Sequence, residues 1–540
     1  MTLETELAHT RHLIIAADEV AAKEKLLALG EKIEDGQRDD QLLEIFAQLG
    51  ELYLVRTAYQ GTEEGLRRMR NIMARYSGNR AGTRSDVDVQ GTIASVDIDR
   101  MVLRYSRRAQ FLETGLAAAH GDHESAEAAL MVLTDDTVAA PDLAAEHAYL
   151  VTYARILCAV ALCDDDLHVR SVPLWEKVID ALDGPGTGDE FDDHLLVIGG
   201  TGYGRFCIET GRLSEAEPWL RRAGARAEAR GWALATSRTQ LERATACWLT
   251  GDRAETQRLV HEAYPAIAES WRAHEVSRSW LYLGLIALSI GELDDADERF
   301  GHAERHWREI EKPLHIHRIL LQRSWVDVFR GDFDAARART NEARELLDSW
   351  PRHSWLQYAR LDDHLGGIWR ADALADPQHA KEKLERAVEL KVPAALAVDS
   401  VRHSIADADA RMRWATYVSA RILAGAFAVA WESENTELVS ELVEYHSARG
   451  TFSAEPDREA EAWTGAATVE VPLEAVEEYA LVAGGESPSG GGTALTRLGP
   501  LPPLQMDPTT APIMTRYREL AFERYGRDVT AAGAAWPTWP

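Results

Sequence analysis

Between residues 200 and 345 the chain alternates long apolar runs with polar runs that carry spaced alanines. Trp280-Leu281-Tyr282-Leu283-Gly284-Leu285-Ile286-Ala287-Leu288-Ser289-Ile290 is apolar nearly all round, as a helix packed on several sides must be. Beyond Gly291, the residues Ala296, Phe300, Ala303, Trp307 and Ile310 follow at spacings of four, three, four and three. Those spacings lay one apolar stripe along a second helix, which can fold back on the first. Gly291 supplies the left-handed residue that ends the first helix. Pro313 closes the unit, because proline cannot continue a helix interior.

The same punctuation recurs. Gly211-Arg212, Gly251-Asp252, Gly291-Glu292 and Gly331-Asp332 stand 40 residues apart, the mark of a stacked repeat. Trp280, Leu283, Gly284, Ala287, Gly291, Ala296, Phe300 and Ala303 resemble the tetratricopeptide repeat (TPR) pattern, with small residues where two helices approach closely. Ala216, Leu220 and Ala223 follow Gly211 at the same offsets, Thr256, Val260 and Ala263 follow Gly251, and Ala336 and Ala343 follow Gly331. Gly204 occupies the close-packing position of the unit ending at Gly211. The period of 40 departs from the family's, which is about 34 residues, and predicts longer helices. Gly121-Asp122, followed by Ala126, reads as an earlier unit, 90 residues before Gly211, with a Gly/Asp-rich insertion at 183–193. The resemblance implies an all-α, right-handed solenoid of long-helix TPR-like repeats whose concave face binds a partner.

Residues 1–120 read as a helical cap, with Leu42, Leu43, Ile45, Phe46 and Leu49 on amphipathic helices and a polar loop at 77–86. Repeats fill 121–350, and further helical hairpins 351–450, around Trp414, Tyr417, Ile422, Phe427 and Trp431, then Leu438, Leu442 and Val443. Residues 451–540 read as a linker and tail: 484–512 is Gly/Ser-rich and then Pro-rich, a flexible composition, and a short helix spans 513–525. A second resemblance rests on Arg411-Met412-Arg413-Trp414, Ala426-Phe427, Leu438-Val439-Ser440-Glu441-Leu442-Val443, Leu501-Pro502-Pro503-Leu504 and the Tyr517–Tyr525 helix. These are similar to the segment before the protease domain of actinobacterial TPR–CHAT proteins. No cysteine follows Cys247, so the His/Cys dyad of that caspase-like protease has no counterpart here. The resemblance implies a regulator of a separately encoded protease in a bacterial conflict system.

Composition narrows the functions. Lys and Arg total 59 against 88 Asp and Glu, a formal net charge of −29, which disfavours phosphate backbones and anionic membranes. No stretch approaches 18 consecutive apolar residues, and MTLETELAHTRH lacks the features of a signal peptide. Cys158, Cys163, Cys207 and Cys247 are the only cysteines. They lie in apolar helical stretches without CxxC spacing, which suits buried thiols in a cytoplasmic protein.

Several strings invite chemistry. Leu195-Leu196-Val197-Ile198-Gly199-Gly200-Thr201-Gly202-Tyr203-Gly204 has the glycines of a dinucleotide turn, yet Arg205 stands where the third glycine belongs, so helix packing is the preferred reading. His302 and His306 share a helix face, with His315 and His317 beyond Pro313, and are the candidates for a metal. Ala303 stands where a metalloprotease has its glutamate. Asp164-Asp165-Asp166 and Asp362-Asp363 could pair as carboxylates for acid–base work, but read as helix ends and loops. Arg238, Arg243, Arg278 and Arg323 fall on the first helices of successive units, where they could clamp a carboxylate-bearing peptide tail or an anionic ligand. Some of the sixteen tryptophans could anchor a partner beside them.

The sequence therefore predicts a protein–protein interaction scaffold or regulatory adaptor that binds a protein or peptide and is not an enzyme. It needs no cofactor, and homo-oligomers are compatible with it. The alternatives are a ligand- or peptide-sensing subunit of a bacterial transcriptional regulator, although no basic helix-turn-helix is visible, and an enzyme on a helical scaffold.

Overall fold

The computed structural model describes residues 3–33, 38–80, 95–135, 140–165, 167–184, 188–270, 272–351, 353–401, 414–447, 513–527 and 529. Among these every regular element is helical, and the chain is an all-α helical-repeat protein. The Gly/Pro-rich linker read at 484–512 lies outside the described residues. Contacts divide the chain into two compact units. The first comprises Met1–Ile208, Arg212–Ala244 and His261–Arg272, and the second Glu209–Gly211, Thr245–Val260 and Ala273–Pro540.

The first unit begins with α1 (Leu3–Ile15), α2 (Glu19–Lys32), α3 (Asp39–Val55), α4 (Tyr59–Arg80), α5 (Ser95–Ala119) and α6 (His123–Thr134). It continues with α7 (Ala144–Asp164), α8 (His168–Asp183), α9 (Glu190–Glu209), α10 (Leu213–Ala229), the start of α11 (Ala233–Leu249) and the end of α12 (Arg253–Glu269). Consecutive helices pair, α3 on α4, α5 on α6 and α7 on α8. Helix α5 is pinned to α3 by Arg108, whose fully buried guanidinium donates to Glu44 at 2.7 Å and Glu51 at 2.6 Å. Burial opposes ionisation of Glu44, but Arg108 and Arg104 pull its carboxyl far below the usual range. Helix α7 belongs to the one segment among the described residues, Pro141–Asp164, that is long and apolar enough for a bilayer. Its Leu150, Ala154, Ile156, Ala159 and Leu162 are buried within the unit.

The glycine string at 195–204 lies wholly inside α9, so it forms no strand and turn. A Cβ on Gly202 would come within 2.8 Å of Trp175 on α8, and one on Gly204 within 2.5 Å of Leu220 on α10. The glycines let α9 pack closely on both neighbours. The segment between α8 and α9 is 184–189, shorter than the predicted insertion, because Glu190–Asp193 already form the first turn of α9, where acidic residues are favoured. The earlier unit at Gly121 is present: its φ is 72°, Asp122 caps α6, and Ala126 is buried.

In the second unit come α13 (Ala273–Ser289), α14 (Leu293–Glu309), α15 (Pro313–Phe329), α16 (Phe333–Ser349), α17 (Trp355–Ala375) and α18 (Ala380–Ser400). A π-helical turn, Trp414–Ser419, leads into α19 (Ala420–Glu432), then α20 (Thr436–Ser447) and α21 (Thr515–Tyr525). Helices α10 to α16 are each 17 residues long. Three-residue links separate them, which is how a 40-residue pair arises. Within each 40-residue pair the links recur every 20 residues: besides Gly211, Gly251, Gly291 and Gly331, they contain Gly231 at φ 70° and Glu311 at φ 53°. At Gly331 the physics of the link is plain. The amide of Asp332 donates to the carbonyl of Asp327 and that of Gly331 to Val328, both at 2.9 Å, closing α15. The Asp332 carboxylate then accepts from the amide of Ala335 at 3.0 Å, opening α16.

The repeat register is realised in the core. Ala296, Phe300 and Ala303 are fully buried, as are Ala336 and Ala343, with Thr340 in the slot of Phe300. The predicted tail helix docks in cis. Met514, Ala521 and Tyr525 join the same cluster as Val388, Val392 and Trp414, and the Tyr525 hydroxyl donates to Asp362 at 2.6 Å.

Candidate functional site

The four arginines chosen from sequence fall in different surroundings. Arg238, on α11, lines a cavity of the first unit. Arg243, farther along α11, lies 3.5 Å from Glu217. Arg278 is on α13 of the second unit. Arg323 is taken up in bonds between neighbouring helices, at 2.8 Å to Asp297 and 2.7 Å to Glu304, which is the geometry of a structural ion pair.

The four histidines do not converge. His302 packs on Trp280, with ring centroids 5.0 Å apart. The ring of His306 faces His274 instead, Nε2 to Nδ1 at 2.9 Å, and His315 stacks on Trp307 at 4.1 Å. His317 is buried, with Nδ1 3.0 Å from the carbonyl of Ala343. Burial pushes the thiols of Cys158 and Cys207 up to about 12, so both stay protonated and are poor nucleophiles.

The arrangement with chemical consequences was not legible in the repeat pattern. Helix α1 meets two sets of neighbours. Leu7 packs with Leu26, Leu29, Ile45 and Leu52 of α2 and α3, and Thr10 and the carbonyl of Leu7 bond to Gln48. Farther along, it lies against the first helices of later pairs. Arg11 pairs with Glu146 on α7 at 3.4 Å and sets its guanidinium over the ring of Phe191 at 4.8 Å. His12 pairs with Glu190 at the start of α9, and Ile15 joins Val197, Ala227 and Trp232 in one cluster. An amphipathic helix thus occupies the face built by α7, α9 and the start of α11. Leu3, Leu7, Arg11 and Ile15 stand four apart on a single row of the helix, so the sequence shows one stripe and not that its two ends meet different neighbours.

Beside α1 this face encloses a cavity of about 60 Å³. Its polar wall holds Arg11, Arg238, Arg272, Glu51, Tyr149 and His194, and its apolar wall includes Ile15, Val55, Val197, Ile198, Trp232 and Leu234. The carboxylates nearby are shared. Glu51 is held by Arg108, Glu146 by Arg104 as well as Arg11, and Glu19 by Arg56 as well as Arg272. His194 reports the resulting field. Burial first, and then Arg11, Arg238 and Arg272, hold its imidazole down to about 3, so it is neutral at physiological pH. Its Nδ1 lies 2.9 Å from the Tyr149 hydroxyl. Burial pushes Tyr153 up to about 12, and Glu51 adds to the rise, so this phenol is neutral too. The wall therefore combines guanidiniums, the Glu51 carboxylate and neutral hydrogen-bonding groups, with no activated nucleophile among them.

No family model matches the chain, and no curated protein does. Among solved structures it is similar to one described as the Rap conjugation gene regulator of the plasmid pLS20 in complex with the Phr* peptide. The identity is 14%, the alignment covers 71% of this chain and 93% of that one, and the TM-score is 0.37. The apo form of RapI aligns at 12% identity over 81% of this chain and 99% of that one, with a TM-score of 0.27. A circular tandem repeat protein with novel repeat topology aligns at 16% identity over 89% of this chain and 98% of that one, with a TM-score of 0.14.

Proposed function

We propose that the chain is a regulatory binding protein whose first unit receives a peptide segment of a partner on the face of α7, α9 and α11. The observation that carries this reading is α1 itself. The face already holds an amphipathic helix through a guanidinium stacked on Phe191 and an isoleucine set among Val197, Ala227 and Trp232. Such aromatic, arginine-lined surfaces are where binding energy concentrates, and helix-in-groove docking uses anchors at the spacing of Arg11 and Ile15. A partner segment engages this face either beside α1 or in its place. The role is one of binding rather than catalysis. A caspase-like protease encoded apart from this chain is the partner to look for first, on the motif likeness at 411–443 and 501–525.

The test is affinity capture from the native host by the full chain, with a Phe191→Ala/Arg238→Ala variant and a synthetic peptide of residues 3–17 as competitor. A stoichiometric partner that the variant loses and the peptide displaces supports the reading. A partner retained by the variant and indifferent to the peptide removes it.

A further inference from the structure

Helix α21 reaches its place from far along the chain. It is 11 residues long, short of the roughly 12–15 at which a helix holds in water without tertiary support. Its order therefore comes from the surface beneath it. That surface is built by α18, with α17 and α20 at its sides. The bonds across it join residues 73, 127 and 163 positions apart, so α21 meets the second unit as a peptide segment meets a receptor groove.

The groove has an apolar floor and an acidic rim. Met514, Tyr517, Ala521 and Tyr525 stand three, four and four apart, one stripe of a helix. Met514, Ala521 and Tyr525 are buried in the cluster of Val388, Val392 and Trp414, and Tyr517 packs against it. Three carboxylates receive the segment around this floor. Glu441 accepts from the amide of Met514 at 3.0 Å, Asp362 from the Tyr525 hydroxyl at 2.6 Å, and Glu389 from the guanidinium of Arg516. Arg524 donates to the carbonyl of Glu389 at 2.7 Å, and Arg527 lies over the ring of Trp355 at 4.8 Å. Asp362 and Glu389 also hold Arg344 and Arg386 of the second unit. What the rim offers is thus a charge pattern matched to a basic helix, on carboxylates that are already shared.

The internal helix is a ligand that a rival can displace. Met514 enters it at φ 56°, a left-handed conformation that strains a residue other than glycine. Arg516 is 66% exposed in its pair with Glu389, where water and salt weaken the attraction. A separate helix bearing the same stripe need not carry that strain.

We propose that the groove of α17, α18 and α20 is a second recognition surface, for a short arginine-bearing amphipathic helix of a partner protein, and that α21 is its internal occupant, displaced when the partner presents such a helix. This surface belongs to the second unit and stands or falls apart from the first-unit face.

The test is fluorescence anisotropy with a labelled synthetic peptide of residues 512–530 standing in for the partner helix. In the full chain, Ala521→Arg puts a charged side chain at a fully buried position and undocks α21. The peptide should bind this variant one to one, and the wild type at least about tenfold weaker, because there the tethered helix competes with it. Glu389→Arg in the undocked chain should weaken the peptide about tenfold, and an Arg516→Glu change in the peptide should restore it. In the wild type, saturating peptide should quicken amide exchange in α21 while α17 and α18 stay protected. That reading needs no variant, so misfolding of Ala521→Arg cannot decide the matter. Binding to neither chain at millimolar peptide, or binding indifferent to Glu389→Arg, overturns the proposal. Binding to Ala521→Arg without any quickening of α21 in the wild type also overturns it and leaves α21 a fixed cap. A wild-type dimer that Ala521→Arg abolishes would make the occupant the α21 of a second copy and overturn the separate partner.

Discussion

Replacing Gly284 by alanine separates the packing of the repeat from its helix propensity. A helical glycine changed to alanine gains about 0.5–1 kcal/mol from backbone entropy when nothing obstructs the new methyl group. At Gly284 that Cβ would lie 2.6 Å from Cε1 and 2.7 Å from Cδ1 of Phe300. Phe300 is fully buried, as are Ala296 and Ala303, so its ring would have to shift within the packed core. Overpacking of this kind costs about 1–3 kcal/mol. Gly301, on the partner helix of the same pair, is the control, since a Cβ there meets only Arg323 Nη1 at 4.0 Å. The propensity gain is common to both positions, so their difference isolates the packing cost at about 1–3 kcal/mol. Urea unfolding followed by far-ultraviolet circular dichroism measures it. Gly301→Ala should raise the midpoint and Gly284→Ala should fall below Gly301→Ala by that margin. Equal midpoints, or a Gly284→Ala variant as stable as Gly301→Ala, would refute the close-approach role of Gly284 and with it the repeat register.

Three further outcomes follow from buried groups. His194 and His364 are each held down to about 3, by burial first and then by neighbouring cations. The unfolded chain, titrating near 6.5, therefore binds more protons between those values, and stability is lost as pH falls through that window. Each histidine costs about 2 kcal/mol between roughly pH 7 and pH 5 by linkage, and His194→Gln should flatten the measured slope by one proton. Arg108→Ala leaves Glu44 and Glu51 buried without their shared cation and should cost about 3–5 kcal/mol. Adding Glu44→Gln and Glu51→Gln should restore much of that loss in the same unfolding assay. Tyr525→Phe removes the bond to buried Asp362, worth about 1–3 kcal/mol, and should speed amide exchange in α21 while leaving α13 to α16 unchanged.

Much of the fold was written in the spacing of a few residues. Gly211, Gly251, Gly291 and Gly331 are visible because a left-handed link favours glycine, and aspartate or arginine follows each of the first two and the last. The 20-residue recurrence of links within each pair was hidden because Glu311 adopts φ 53° without being glycine. Gly204 and Gly284 were legible as close-packing positions because the approach of a neighbouring helix excludes a Cβ. The candidate site was far less legible. Arg238 was chosen for its place on a first helix. Arg11, Tyr149, His194 and Arg272 come together only through tertiary packing, and α1 shows one stripe to a periodicity search while its two ends meet different neighbours. Arg323 looked like a ligand clamp because sequence spacing cannot show that Asp297 and Glu304 already hold it.

The central claim, that the face of α7, α9 and α11 in the first unit is the one that recognises a partner, is tested most directly by amide hydrogen exchange of the full chain with and without its captured partner. The account predicts that exchange changes in α1 and in α7, α9 and the start of α11, slowing where the partner sits and quickening in α1 if that helix is displaced. Changes confined to the second unit, with residues 3–33 and 144–208 unaltered, would contradict it.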